Sequence, residues 1–372
     1  MFDVVRTLGS IYLGKGKYDE AEPCFIRMLD LSEKGFGPDN FFTALGLSNI
    51  GDLYSARGKY QEAEILKKQA IKITEKDLGP NNLNSVLLTT KLAELYREQG
   101  RYREGIALCD RAMKSVEGHL GLDHPLLAYI FNISGLIYQK QAMYADAERC
   151  YERALQIFEN AQGESHPQTA LSLNNLAEIY RDQGRFSEAE LLYKRAIEID
   201  EKVLGDHPDL AQQLHNLALL YFSQGHYDEA KPLYERALAI WRNISGPRHP
   251  EVARCLNHLG LLHHRLGEKA KAERYYRQAL SIMEATFGPS HPELADSLFY
   301  IADLYIEQEN YVEAKALCEQ ALTNWKRALR PDHPNVARGL FILARLHHLA
   351  SQYSQALRLY QQTLDLLRDK AM

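Results

Sequence analysis

The feature that most constrains this chain is a period. A small residue within a recurring helical segment falls at Ala21, Ala63, Gly105, Ala147, Ala189, Ala230, Ala272, Ala314 and Ala356, and successive positions differ by 42 residues except for one interval of 41. The short interval has a visible cause. The corresponding linker stretch elsewhere has five residues, as in Gly246-Pro247-Arg248-His249-Pro250 and Gly288-Pro289-Ser290-His291-Pro292, whereas Gly205-Asp206-His207-Pro208 is one residue shorter. Self-similarity of this length marks a supersecondary unit that cannot bury its apolar face alone and stacks on its own copies. The register gives nine units, at about 1–40, 41–82, 83–124, 125–166, 167–207, 208–249, 250–291, 292–333 and 334–372, forming one array over residues 1–372.

Each period holds two helices. In the fifth unit Leu173, Leu176, Ala177 and Tyr180 are spaced i, i+3, i+4, i+7, one apolar stripe of a first helix, A. Gly184 ends it, because glycine takes the left-handed conformation of a helix C-terminus at least cost. Glycine recurs there at Gly16, Gly58, Gly100, Gly225 and Gly267, while Ala142, Glu309 and Ser351 replace it elsewhere. The second helix, B, carries Ala189, Tyr193 and Ala196 at helical spacing. Three residues before the helix-A tyrosine the chain reads Gly9, Gly51, Ala93, Gly135, Ala177, Ala218, Gly260, Ala302 and Ala344. A mid-helix glycine costs about 1 kcal/mol, so its repeated use there predicts a neighbouring helix too near for a larger side chain. The expected neighbour is the Ala189-type position of helix B. Trp241 and Trp325 share a late helix-B register with Phe158 and Met283 and are expected to pack on the following helix A.

Charge and motifs exclude several functions. Lys and Arg total 44 against 49 Asp and Glu, a net charge of -5, which argues against a sequence-independent nucleic-acid binder. No apolar run approaches the roughly 18 residues that span a bilayer, and MFDVVRTLGS lacks the pattern of a secretory signal. No membrane association is expected. Five dispersed cysteines read as reduced, helix-packed side chains of a cytoplasmic protein. No P-loop, dinucleotide fingerprint, nucleophile elbow, H-E-x-x-H or C-x-x-C is present, so neither enzyme activity nor a cofactor is expected. Six histidines, His124, His166, His207, His249, His291 and His333, each precede a proline. They read as caps of helix A. Zinc ligands must lie about 2 Å from one ion, and residues one repeat apart cannot, so no metal site is expected.

With Leu176 counted as the seventh place of its repeat, small residues stand at places 8 and 20, Tyr at 11, an aromatic at 24 and Ala at 27. Leu176, Ala177, Tyr180, Ala189, Tyr193 and Ala196 match this pattern in full, and it resembles the tetratricopeptide repeat. The 42-residue form, with LNNLA, an EAExLYxRAL-like helix B and an LGPxHP linker, is similar to the kinesin light chain type. Ser134, His263, His347 and Lys67 depart from it. The resemblance implies an all-α solenoid of nine tandem helix-turn-helix repeats in a right-handed superhelix. It also implies a scaffold binding an extended peptide or partner protein in a concave groove lined by the A helices.

In such repeats places 2, 5, 6, 9 and 12 tend to face the groove. They carry Lys91, Arg97, Asn132, Asn174, Asn175, Glu178, Arg181, His215, Asn216, Arg254, Asn257 and His258 as candidate ligand contacts. Asparagine is a poor helix former, so its recurrence at mid-helix needs a reason. Two stand open: the amides hydrogen-bond the backbone of a bound peptide, or they form a ladder between adjacent repeats. Only fragments of a two-carboxylate clamp appear, at Arg6, Asn49 and Lys91, so recognition of a C-terminal carboxylate is not expected. Phe299, Tyr300, Ile306, Phe341 and Ile342 either anchor a ligand or pack internally. By register the first helix A begins before Met1 and no capping helix follows the ninth repeat. This leads us to expect a fragment of a longer chain with sibling domains, and an alternative role as the sensor or assembly array of a larger signalling protein.

Overall fold

A computed structural model describes residues 2–329, 331 and 333–368. Among them the chain is all helical, with eighteen α-helices, a single 3-10 turn at Pro292–Leu294 and no strand. Odd-numbered helices are the A helices and even-numbered ones the B helices. Those that matter below are α3 (Phe41–Ala56), α4 (Tyr60–Leu78), α5 (Leu83–Glu98), α6 (Tyr102–Leu120), α7 (Pro125–Lys140), α8 (Tyr144–Gln162), α9 (Pro167–Asp182), α10 (Phe186–Val203), α11 (Pro208–Ser223) and α12 (Tyr227–Ile244). No helix among the described residues is long and apolar enough to cross a membrane.

The chain divides into two compact units at Gly246/Pro247, six repeats in the first and three in the second. Within the first, each A helix packs on its own B helix, and each B helix on the next A helix. The A helices α5, α7, α9 and α11 also touch in succession. Successive B helices make no comparable contact among the described residues, so the A helices form the inner layer of this unit.

The histidine caps form as expected. In all six, Nδ1 accepts the backbone N–H two residues on, at 3.1–3.2 Å, and proline fills the first helical position. The earlier repeats use Asn40 and Asn82, whose Oδ1 accepts the equivalent N–H at 3.0 Å. His166→Ala should therefore cost about 1 kcal/mol, and His166→Asn should recover most of it. Urea unfolding of the two variants checks this.

The turn between A and B holds its conformation even where glycine is missing. Gly184 has φ 77°, and Ala142, Glu309 and Ser351 have φ 57°, 59° and 59°. The packed helices on either side impose the left-handed residue, and a side chain there bears about 1–2 kcal/mol of strain. Ala142→Gly should stabilise by about 0.5–1 kcal/mol after glycine's extra chain entropy is counted, and Gly184→Ala should do the opposite. Denaturant midpoints of both variants measure this.

The close approach at place 8 is real, but its main partner differs from expectation. A Cβ on Gly135 would lie 2.5 Å from the Tyr151 ring, and one on Gly260 2.5 Å from the Tyr276 ring. It is thus the aromatic at place 24 that lies across the small residue. The place-20 backbone comes second: a Cβ on Gly51 would stand 3.4 Å from the Ala63 carbonyl oxygen. Repeats are also tied along their B-helix side. Arg185 stacks 3.7 Å from the Tyr180 ring centroid and reaches back to Glu148 of the preceding repeat at 2.7 Å.

Candidate functional site

The inner layer of the first unit collects polar side chains that elsewhere on a helix would face water. Asn174, on α9, accepts at Oδ1 from Asn216 Nδ2 of α11 at 3.0 Å. Asn216 Nδ2 also donates to Glu178 Oε1 at 2.7 Å, and its Oδ1 accepts from Gln212 at 3.0 Å. Asn132 on α7 donates to Ser172 Oγ of α9 at 3.5 Å, and its own Oδ1 is buried without a partner. His215 is buried edge-on against Tyr234, ring centroids 5.2 Å apart. Much of the asparagine set therefore bridges neighbouring repeats, the second of the two readings of these amides.

Other groups in this layer retain open valences. Asn175 is buried and makes no hydrogen bond among the described residues. Burial holds the Glu178 carboxyl above the usual carboxylate range, against the Arg181 charge and a Gln139 hydrogen bond, which lower it. Glu94 is raised for the same reason, although Tyr129 Oη donates to it at 2.8 Å. Arg181 pairs with Asp182 at 2.9 Å. Arg97 pairs with Glu98, and its Nε is buried without a partner. Lys91 is bound to Asp52 at 2.7 Å, and Lys67 takes the other oxygen of the same carboxylate.

That last contact explains the departure at Lys67. Its stem lies over Gly51, 3.1 Å from an added Cβ, where other repeats lay a ring. The ammonium then continues to helix A, where Asp52 meets it. Asp52 and Lys67 were not among the sequence candidates, and the lysine at an aromatic place was the signal for both.

In the second unit Asn257 and Ser297 exchange two hydrogen bonds, at 2.8 and 3.2 Å, which repeats the Asn132–Ser172 arrangement. Arg254 pairs with Glu251 at 3.1 Å and approaches Glu293 at 3.8 Å. His258 donates Nδ1–H to the Arg254 carbonyl at 3.0 Å. Phe299 is buried against Trp325, centroids 5.1 Å apart, and Tyr300 stacks on Tyr276 at 5.2 Å, so both pack within the fold. Phe341 is half exposed. Trp325 also lies 3.4 Å from a Cβ on Gly339 of the following helix A, as its register predicted.

Paired helices with a small-residue contact under a ring, repeated at one period, define a helical-hairpin repeat protein. Sequence profiles described as tetratricopeptide repeat match residues 3–76, 126–202, 209–285, 270–316 and 293–369, and a further one matches 89–126. The chain belongs to the tetratricopeptide-repeat family. No curated protein matches it. Among solved structures, BtubC (BKLC) from P. vanneervenii is 22% identical, with TM-score 0.50, over 62% of this chain and 91% of that one. A putative kinesin light chain from Podosopora anserina is 27% identical, with TM-score 0.44, over 55% and 97%. A Rap protein complexed with Competence and Sporulation Factor is 14% identical, with TM-score 0.65, over 100% and 99%. The likenesses to BtubC and to the Rap protein are of fold.

Proposed function

We propose that this chain is a protein-interaction scaffold that holds an extended segment of a partner along the A-helix layer of residues 1–246, around α5 to α11. The observation that carries the reading is the surplus of polar valences on that layer. The Arg97 Nε and the Asn132 Oδ1 are buried without a partner, Asn175 makes no hydrogen bond among the described residues, and the Glu178 carboxyl bears desolvation. A free buried polar group costs about 1–3 kcal/mol, and a ligand that satisfies it recovers part of that on binding. The Rap protein above was solved with a bound factor, and the shared fold is compatible with the same use of this layer.

The roles of the asparagines separate by experiment. Asn216→Ala removes the bonds to Asn174 and Glu178 and should lower stability by about 1 kcal/mol. Asn175→Ala removes no internal bond, puts a better helix former in place, and should leave stability equal or higher. If the layer binds a peptide, Asn175→Ala should nonetheless weaken a peptide selected on the wild-type chain by about threefold to tenfold. Equal peptide affinity in wild type, Asn175→Ala and Glu178→Gln would move the binding surface elsewhere.

A further inference from the structure

Two helices hold open, among the described residues, a face that neighbouring repeats cover elsewhere. At the junction of the fourth and fifth repeats Ala147 and Tyr151 of α8 pack on Leu176 and Ile179 of α9, with Tyr144, Leu155 and Tyr180 around them. The second unit repeats the arrangement: Ala272 and Tyr276 pack on Ile301 and Leu304, with Leu280 and Tyr305 beside them. In this way a B helix receives the next A helix. The A side of the junction recurs on α1 (Phe2–Gly14), and the B side on α18 (Tyr353–Arg368). By register Leu8, Ile11 and Tyr12 stand where Leu176, Ile179 and Tyr180 stand in α9. Tyr353, Ala356, Tyr360 and Leu364 stand where Tyr144, Ala147, Tyr151 and Leu155 stand in α8. The residue type is the same at all seven places. Yet Leu8 and Ile11 are 42% and 48% exposed, against 4% and 0% for Leu176 and Ile179. Val4, one turn before Leu8, lies open on the same stripe, and Tyr353 and Leu364 are exposed on α18. Apolar stripes of this kind on a soluble protein mark contact surfaces.

We propose that these two faces bind each other between copies of the chain, α18 of one copy seating on α1 of another as α8 seats on α9. The α8–α9 junction argues for this occupant. It shows what closes a Tyr-Ala-Tyr-Leu face of helix B, and α1 carries the same Leu, Ile and Tyr that close it there. The inference goes beyond the scaffold reading and stands without it, because it uses neither the polar layer nor a ligand. The contact is heterologous: the patch on α1 differs from the patch on α18, so each copy offers one face of each kind. One contact is replaced. Glu148 of α8 takes Arg185 at 2.7 Å, whereas α18 has the exposed Leu357 at that place. The contact between copies is therefore more apolar than its counterpart within the chain and depends little on salt.

Sedimentation velocity on the whole chain tests this. Wild type should pass from the mass of one copy to that of two and more as its concentration rises, with little change on adding salt. Leu8→Glu together with Ile11→Glu closes the α1 face, and Tyr353→Glu together with Leu364→Glu closes the α18 face. All four side chains are exposed, so both variants should keep the helicity of wild type by circular dichroism. Each variant by itself should associate at least about a hundredfold more weakly than wild type, because carboxylates would be sealed in an apolar contact. Mixed in equal amounts, the two variants should form a complex of one copy of each and nothing larger. Each then contributes the face that its own substitutions leave intact, which also shows that both are folded. Wild type that keeps the mass of one copy at its highest soluble concentration overturns the proposal. So does a variant that associates by itself as wild type does, or a pair of folded variants that fail to join when mixed.

Discussion

Asp52→Ala should cost about 3 kcal/mol of unfolding free energy, the lower end for a broken buried ion pair, because Asp52 keeps 25% of its side chain exposed. Lys67 is the reason for the size. Only 4% of its side chain is exposed, and Asp52 is the carboxylate that neutralises it. Removing Asp52 leaves an ammonium in a place built for an aromatic ring. The loss should be local, since repeat arrays are stabilised by each unit and its nearest neighbours. Hydrogen exchange should therefore quicken in α3, α4 and α5 first. The repeat supplies its own rescue. Leu136, Leu219 and Leu261 stand at the place of Asp52, and Tyr151, Tyr193, Tyr234 and Tyr276 at that of Lys67. The double variant Asp52→Leu, Lys67→Tyr replaces the pair by the packing used elsewhere, and should return to within about 1 kcal/mol of wild type. A single variant as stable as wild type in urea would contradict the assignment of this pair.

Asp200→Asn should stabilise the protein above neutral pH by about 2–3 kcal/mol. Asp200 is fully buried at the late helix-B place that elsewhere holds Phe158, Trp241, Met283 and Trp325. Burial pushes its carboxyl up to about 6, with Asp209 adding and the Gln213 hydrogen bond and His207 opposing. Gln213 Nε2 donates to Oδ2 at 2.6 Å, while Asp200 Oδ1 and Gln213 Oε1 are both buried acceptors without a donor. A proton on Asp200, or the amide of asparagine, gives that pair the donor it lacks. The direction with pH follows from linkage. The folded state binds this proton more tightly than the unfolded chain, whose aspartate titrates near 3.8. Stability from this group thus falls as pH rises from about 4 to about 6, and the deficit is complete above that window. Each pKa unit corresponds to about 1.4 kcal/mol. Other carboxylates run the opposite way: Glu64, though desolvated, is held at about 2 by Arg101 and Lys68. The informative quantity is therefore the difference between Asp200→Asn and wild type in urea unfolding. It should be small at pH 4 and largest at pH 8. A difference that does not change with pH would show that Asp200 does not carry this proton.

The period made the hairpins legible because phase alone fixes which helical face is apolar. It fixed the turn as well: Ala142, Glu309 and Ser351 take the left-handed conformation because the register requires it there. Contacts between helices were less legible. Ala189 and Tyr193 both lie on the inward face of helix B, and sequence phase does not say which crosses Ala177. The asparagines posed the same difficulty, since the offset between repeats decides whether Asn174 meets Asn216 or a ligand. The 41-residue interval matters here. At that junction a residue at place 6, Asn216, meets Asn174, whereas at 42-residue junctions Ser172 and Ser297 meet Asn132 and Asn257. The departures from the repeat were the better guide. Lys67 in place of an aromatic and Asp200 in place of an apolar residue each mark a buried polar contact that the pattern alone does not predict.

The central claim is that a partner segment lies on the A helices of the first unit. Hydrogen-exchange mass spectrometry with a peptide selected on the wild-type chain tests it most directly. The expected result is slower exchange in α5, α7, α9 and α11 on binding, with α6, α8 and α10 unchanged. Protection confined to the B helices, with the A helices exchanging as in the free protein, would contradict it.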